Sequence, residues 1–192
     1  MIHVDEITPD RLEDYEQIPI AFKVDYVLEI QLVGNGIGGF LFKEVPVESF
    51  VKDYDAFEGG SPTSWPGQFD VSTWGFFLAS CDQEPIGAAA VAWNTDGVNM
   101  LEGRGDMSVL WDIRVHPDER RHGIGTALFR HAAAWSVRHS CTQMKIETQN
   151  VNLAACRFYQ NMGCELGDVR RFAYVDQPHV ASEIQLNWYL KL

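Results

Sequence analysis

Residues 110–129 read Leu-Trp-Asp-Ile-Arg-Val-His-Pro-Asp-Glu-Arg-Arg-His-Gly-Ile-Gly-Thr-Ala-Leu-Phe. An apolar, β-branched run ends at Val115, and Pro117 opens a tight loop. Ile124, Leu128, Ala132 and Trp135 then recur at helical spacing. The stretch predicts a strand over 107–115, a loop, and a helix over about 123–139. Such a junction suits an anion. Glycines allow close backbone approach, successive N–H groups point one way, and the helix start carries partial positive charge. Arg120 and Arg121 add full charges. Residues 112–157 hold 7 bases and 4 acids, net +3, inside a 192-residue chain of net charge −12. A diphosphate ligand fits that island.

The pattern extends both ways. Residues 143–148 alternate like a strand, Asn152 can cap a helix over 153–162, and Gly163 can close it in the left-handed conformation. Strand-helix-strand-helix from 107 to 162 implies a right-handed crossover and a parallel strand pair. Two last strands are expected near 169–175 and 183–191. Upstream, 74–80 and 86–93 read as strands joined by a turn at 81–85, making an antiparallel meander with 107–115. Further strands are expected at 3–7, 24–33 and 40–45. A short helix through Gln17 would be capped by Thr8 or Asp10, and 55–72 reads as loop. Gly34–Gly39 reads as a hairpin turn, because a dinucleotide loop needs a helix after it. The expected class is α+β, an α/β three-layer arrangement. It is a single domain over 1–192, with a mixed, mostly antiparallel central sheet and helices on both faces.

Composition narrows the function. With 46% hydrophobic and 22% charged residues and six Trp, the chain has material for a core, which excludes disordered and collagen-like classes. The start, Met1–Glu6, lacks a basic and apolar leader, and no run of about 18 apolar residues exists, so a cytoplasmic protein off the membrane is expected. Cys81, Cys141, Cys156 and Cys164 match no zinc or CxxC spacing, and no metal is expected. Residues 1–70 hold 14 acids and 4 bases, and residues 71–192 hold 13 and 11. That balance argues against nucleic acid and anionic membranes as partners and suits a cationic ligand.

Arg120-x-x-Gly123-x-Gly125 after a strand resembles the acyl-CoA loop of the GNAT N-acetyltransferase superfamily. Asn152-Leu-Ala-Ala-Cys-Arg-Phe-Tyr159-Gln-Asn-Met-Gly163 is similar to a later helix of that family, although Cys164 stands where Phe is usual. The resemblance covers residues 85–175. Glu147-Thr148-Gln149-Asn150-x-Asn152-Leu153-x-Ala155-Cys156-x-Phe158-Tyr159 and Asn187-Trp188-Tyr189-Leu190 look like streptothricin acetyltransferases. Residues 1–84 match loosely and form a variable acceptor-side region, and 176–192 hold the C-terminal strand.

The resemblance implies acetyl-CoA as cosubstrate. The backbones of Ile113, Arg114 and Val115 would pair with its pantetheine arm. The loop Arg120, Arg121, His122, Gly123, Ile124, Gly125 and Thr126 would hold its pyrophosphate, and Asn152, Ala155, Phe158 and Tyr159 would line the rest. Acetyl transfer needs a neutral amine, a stabilised oxyanion and a protonated leaving thiolate. Tyr159 is the acid candidate, seven residues after Asn152 and so on the same helix face. Asp112 is the first choice of base and Glu147 the second, with ordered water as the alternative. The backbone amide of Val115 is the oxyanion donor in the family pattern. The implied reaction is acetylation of a primary amine on a small cationic acceptor of streptothricin-like or aminoglycoside-like kind. Acetylation of proteins or peptides, and a CoA-binding regulatory module without turnover, stay open as alternatives. The strand Gln185–Leu192 offers an edge for a homodimer.

Overall fold

Residues 75–93 carry apolar side chains on both sides of Asp82-Gln83, and both of those residues adopt positive φ, 50° and 71°. That conformation matches the twist of a tight hairpin. In the computed structural model, which describes residues 2–192 and leaves Met1 outside, this hairpin lies inside the sheet, with a further strand paired on each side of it. In chain order the elements are β1 (His3–Ile7), α1 (Leu12–Glu16), β2 (Phe22–Leu32), β3 (Phe40–Lys52), β4 (Gly75–Cys81), β5 (Glu84–Trp93), β6 (Met107–Val115), α2 (Ile124–Arg138), β7 (Gln143–Gln149), α3 (Leu153–Asn161), β8 (Glu165–Arg170) and β9 (Gln185–Lys191).

Two compact units form, each discontinuous in sequence. The first is Met1–Ala21, Asp53–Ile146 and Tyr189–Leu192; the second is Phe22–Lys52 and Glu147–Trp188. In the first, strands run in the order β1-β4-β5-β6-β7; in the second, β7-β9-β8, beside the separate β2-β3 hairpin. Strands β7 and β9 contribute residues to both. Pairs β1-β4, β4-β5 and β5-β6 are antiparallel, and β6-β7 is parallel, as a crossover through α2 requires.

Within the first unit the pleat sorts side chains onto two faces. Phe76, Leu78, Ala88, Ala90, Ala92 and Val109 face Leu12 and Tyr15 of α1 in one buried cluster. Phe76 stacks with Trp65 and with Trp74, which meet each other at a tilt, and Phe69 and Trp111 pack against the same cluster. The other face meets α2. A Cβ on Gly87 would lie 2.7 Å from Ile124 and 3.0 Å from Leu128, and one on Gly75 2.7 Å from the Trp135 ring. Glycine at these two points lets α2 lie directly on the sheet. Helices therefore cover both faces, with α2 seated so that its first turn follows the end of β6.

In the second unit Gly34–Gly39 closes the β2-β3 hairpin, with positive φ at Gly34, Asn35, Gly36 and Gly39. Asn150 stitches β2 to the end of β7, since its side chain donates to Leu28 O at 3.0 Å and its carbonyl accepts from Leu28 N at 2.8 Å. Trp188 Nε1 donates to Thr148 Oγ1 at 2.9 Å.

Four expectations shift. The C-terminal strand β9 lies between β7 and β8, so Gln185–Leu192 offers no free edge for a homodimer. The penultimate strand is Glu165–Arg170, not 169–175. Gly163 at φ 87° turns the chain at once, so pairing begins in the polar Glu165–Arg170 run, while the more apolar 171–176 forms turns. Neither Thr8 nor Asp10 caps α1: Pro9 starts a separate 3-10 turn over Pro9–Arg11, and Arg11 precedes the helix. The β4-β5 turn is shorter than 81–85, and Pro85 lies inside β5 beside a bulge at Ala79/Ser80. Among the described residues no helix is long and apolar enough to cross a membrane.

Candidate active site

Strand β6 ends in a shape that only part of the sheet supports. Its parallel register with β7 runs from Met107↔Gln143 to Leu110↔Ile146, whereas its antiparallel register with β5 continues to Gly87↔Val115. A bulge opposite Ala90/Val91 accompanies the change. Bulges re-aim side chains. Here Trp111 packs on the aromatic cluster of the α1 face, and Asp112 reaches Tyr15 on the same face.

Beyond Val115 the chain turns through Pro117–Glu119 into the loop. Arg121 and Gly123 both adopt left-handed backbone, φ 69° and 84°. Glycine takes that conformation freely, and an arginine seldom does. Gly123 is the N-cap of α2 and supplies no side chain, so the first helical bond is Ala127 N to Gly123 O at 3.0 Å. The N–H groups of Ile124, Gly125 and Thr126 precede that bond and have no partner inside the helix. They form a ready anion cradle. Ile124 is buried on the sheet side, which anchors the turn.

The two arginines differ. Arg120 donates Nε to Val115 O and Nη2 to Ala21 O, each at 3.1 Å. Burial lowers its pKa. It braces the loop from below, while Arg121 is exposed on it. His122 Nδ1 lies 3.5 Å from Glu119 Oε2.

Asp112 and Arg114 belong to a closed polar cluster. Arg114 has a side chain with no exposure. It donates Nε to Asp112 Oδ1 at 3.0 Å and Nη2 to Asp112 Oδ2 at 2.8 Å. Its Nη1 reaches Asp55 Oδ2 at 2.8 Å and Ile18 O at 3.1 Å. Tyr15 OH donates to Asp112 Oδ1 at 2.7 Å. Burial works against the guanidinium charge, but Asp112 and Asp55 outweigh it and hold the Arg114 pKa above its usual range. Burial, then the Asp112 charge, raise the Tyr15 phenol. Asp55 and Tyr15 escaped sequence reasoning: the partners lie far away in the chain, and no local spacing marks them.

In the second unit Asn152 Oδ1 accepts from Ala155 N at 3.1 Å, the N-cap bond expected at the start of α3. Phe158 and Tyr159 meet edge to face at 5.3 Å, and Tyr159 is 5% exposed. Glu147 and Gln149 share a face of β7, as alternation requires. Glu147 Oε1 accepts from Gln149 Nε2 at 3.0 Å and Tyr174 OH at 2.5 Å, and Oε2 accepts from Gln185 Nε2. Thus Ile113, Arg114, Val115 and the loop gather in the first unit, and Glu147, Asn152, Ala155, Phe158 and Tyr159 in the second.

Comparison with known proteins gives this geometry a context. The model of the Acetyltransferase (GNAT) family matches residues 46–164. Streptothricin acetyltransferase A of Bacillus subtilis is 32% identical over 115 residues, 60% of this chain and 61% of that protein. Streptothricin acetyltransferase of Escherichia coli is 24% identical over 185 residues, covering 95% of this chain and 92% of that one. A Bacillus anthracis protein, a candidate streptothricin acetyltransferase solved in complex with acetyl coenzyme A, superposes with TM-score 0.78 over the full length of both chains at 22% identity, a likeness of fold.

Proposed function

Because the chain belongs to the GNAT family of acetyltransferases, we propose that it transfers an acetyl group from acetyl-CoA to a primary amine of a small cationic acceptor. One observation carries the reading: the uncapped N–H groups of Ile124, Gly125 and Thr126, after a left-handed Gly123, form a cradle for the CoA diphosphate. Arg121 adds charge there, and Arg120 holds the loop in place by its two carbonyl bonds. The edge of β6 from Ile113 to Val115, beyond the end of its parallel register with β7, receives the pantetheine amides in strand fashion.

We assign the acid on the family resemblance and the base on the surroundings of the two carboxylates. Tyr159 protonates the leaving CoA thiolate. Asp112 is sealed by Tyr15 and Arg114, so we assign it to holding β6 in place rather than to proton transfer. Glu147 is half-buried, holds three neutral donors and keeps one acceptor position on Oε2, which suits it to take the ammonium proton, directly or through water. The N–H of Val115 stabilises the oxyanion.

The acceptor is a streptothricin-like or aminoglycoside-like cation, a reading supported by the names of the similar proteins and the acidity of residues 1–70. A thiol-release assay with acetyl-CoA against streptothricin, aminoglycosides, polyamines and basic peptides tests it. Release with a cationic small molecule is expected. Release with peptides alone would move the assignment to protein acetylation, and no release with any acceptor would leave a CoA-binding module.

A further inference from the structure

The β2-β3 hairpin is tied to the rest of its unit only part of the way along. Leu28 and Glu44 stand opposite each other. Leu28 exchanges bonds with Asn150, and Arg157 of α3 donates to Glu44. Beyond that pair, Ile30–Phe42 makes no hydrogen bond outside the hairpin among the described residues. A two-stranded hairpin is marginal in water, and a third strand or a packed face is what secures one.

The register shows which backbone groups are unused. The N–H and the C=O of Leu28 both point away from β3, since both bond to Asn150. In an antiparallel pair such positions alternate with those that bond across the ladder. Leu28↔Glu44, Ile30↔Phe42 and Leu32↔Phe40 are therefore the outward-facing pairs. Val33 N, at an odd position, bonds inward to Gly39 O at 3.1 Å and fits the alternation. On β3 the outward N–H and C=O groups of Phe40, Phe42 and Glu44 meet no strand among the described residues. Pro46, the next outward position, has no N–H to offer. The open edge thus ends at the proline. An unblocked edge recruits another strand. On the other side of the hairpin, the bonds of Leu28 to Asn150 occupy the β2 edge.

The side chains add a reason to pair. Ile37 is 99% exposed and Leu41 58%, and Leu32, Val33, Phe40 and Phe42 are exposed as well. Together they show roughly 600 Å² of apolar surface, the upper end of what a monomer leaves bare and most of the roughly 800 Å² that each partner buries in a stable dimer. Residues 30–43 hold one base, Lys43, and no acid, inside a chain of net charge −12. Two such tips approach without the repulsion carried by the rest of the chain. An antiparallel strand is also its own complement about a twofold axis. With the axis at Phe42, Phe40 lies opposite Glu44 of the other copy, every outward donor finds an acceptor, and Pro46 stays outside. Moving the axis one residue either way leaves donors unused or enrols the proline.

We propose that the chain forms a homodimer in which two β3 strands pair antiparallel about a twofold axis at Phe42, joining two hairpins into one sheet in the order β2-β3-β3-β2.

Sedimentation equilibrium of the full chain at micromolar concentration tests it. The wild type is expected at twice the chain mass and no higher, because pairing uses up both β3 edges. Phe42→Pro removes an outward donor and leaves the ladder to β2 in place, as Pro46 does at its own position. It is expected to sediment as a monomer with circular dichroism unchanged. Phe172→Lys changes another exposed aromatic, 71% exposed and outside the hairpin, and is expected to stay dimeric. Phe42→Cys in a Cys81→Ser background carries the test if the proline variant fails to fold. The axis sets its two thiols about 5.5 Å apart at Cα, so oxidised glutathione is expected to yield a covalent dimer. Leu41→Cys in the same background, with its two copies about 8 Å apart, is expected to cross-link at least tenfold more slowly. A monomeric or open-ended wild type overturns the proposal. So does a dimer retained by folded Phe42→Pro, a dimer lost in Phe172→Lys, or equal cross-linking of the two cysteine variants.

Discussion

Arg114 and Asp55, 59 residues apart in sequence, form a two-bond pair, Nη1 to Oδ2 at 2.8 Å and Nη2 to Oδ1 at 3.0 Å. The guanidinium has no exposure, and its other carboxylate partner is Asp112. The pair fixes the loop after β3 to the end of β6. Asp55→Ala leaves a buried cation with half its compensation, so we expect a loss of about 3 kcal/mol in urea unfolding, the low end for breaking a buried pair. Asp55→Glu should recover part of it. A loss below about 0.5 kcal/mol, the usual surface value, would show that the pair is incidental.

Gly123 has open space where a Cβ would stand, but a φ of 84°. Steric room is thus not the issue; backbone conformation and charge are. Asn tolerates left-handed backbone, so Gly123→Asn should weaken acetyl-CoA binding only modestly, whereas Gly123→Asp places a carboxylate against the diphosphate. Calorimetry should show at least a tenfold gap between the two variants. Retained micromolar binding in Gly123→Asp would remove the loop from the CoA site.

Tyr159→Phe removes one oxygen from a buried ring and should leave the packing against Phe158 intact. We expect kcat to fall by about 10²-fold, typical for a lost general acid, with KM for acetyl-CoA nearly unchanged. Unaltered turnover in steady-state kinetics would exclude the phenol from proton transfer.

Burial pushes the Cys164 thiol up to about 11 from an ordinary 9.0, and raises Cys141 and Cys156 in the same direction. A raised acid is stabilising while both states are neutral. The contribution is present below pH 9 and is lost as pH rises from 9 toward 11, where the unfolded thiol ionises first. Urea midpoints should therefore fall between pH 8.5 and 10.5, and less steeply in Cys164→Ala. In the native chain at pH 8, a thiol reagent should label Cys81, which is half-buried, well before the three buried cysteines.

Much of the fold was legible where a local rule decided the outcome. Periodicity placed α2 and β6, and Asn152 and Gly163 bounded α3, because caps act over three or four residues. The loop of the candidate site was legible for the same reason: its glycines set its shape. What local pattern could not reveal was partnership across the chain. Asp112 reads as a lone carboxylate in an apolar strand, and only the packing of α1 and the loop at Asp55 shows it tied to Tyr15 and Arg114. The shifted β8 is a second case, since strand pairing chose a polar segment over a more apolar neighbour.

The distribution of indoles has a spectroscopic consequence. Trp65, Trp74, Trp93, Trp111 and Trp135 lie in the first unit, most of them in ring contact with one another, whereas Trp188 lies in the second, hydrogen-bonded to Thr148. Five of the six indoles thus report on the first unit and one on the second. A Trp188→Phe chain would glow from the first unit alone, and a chain keeping only Trp188 would light the second. Together the two would time the melting of each half separately, in one cuvette and without a label.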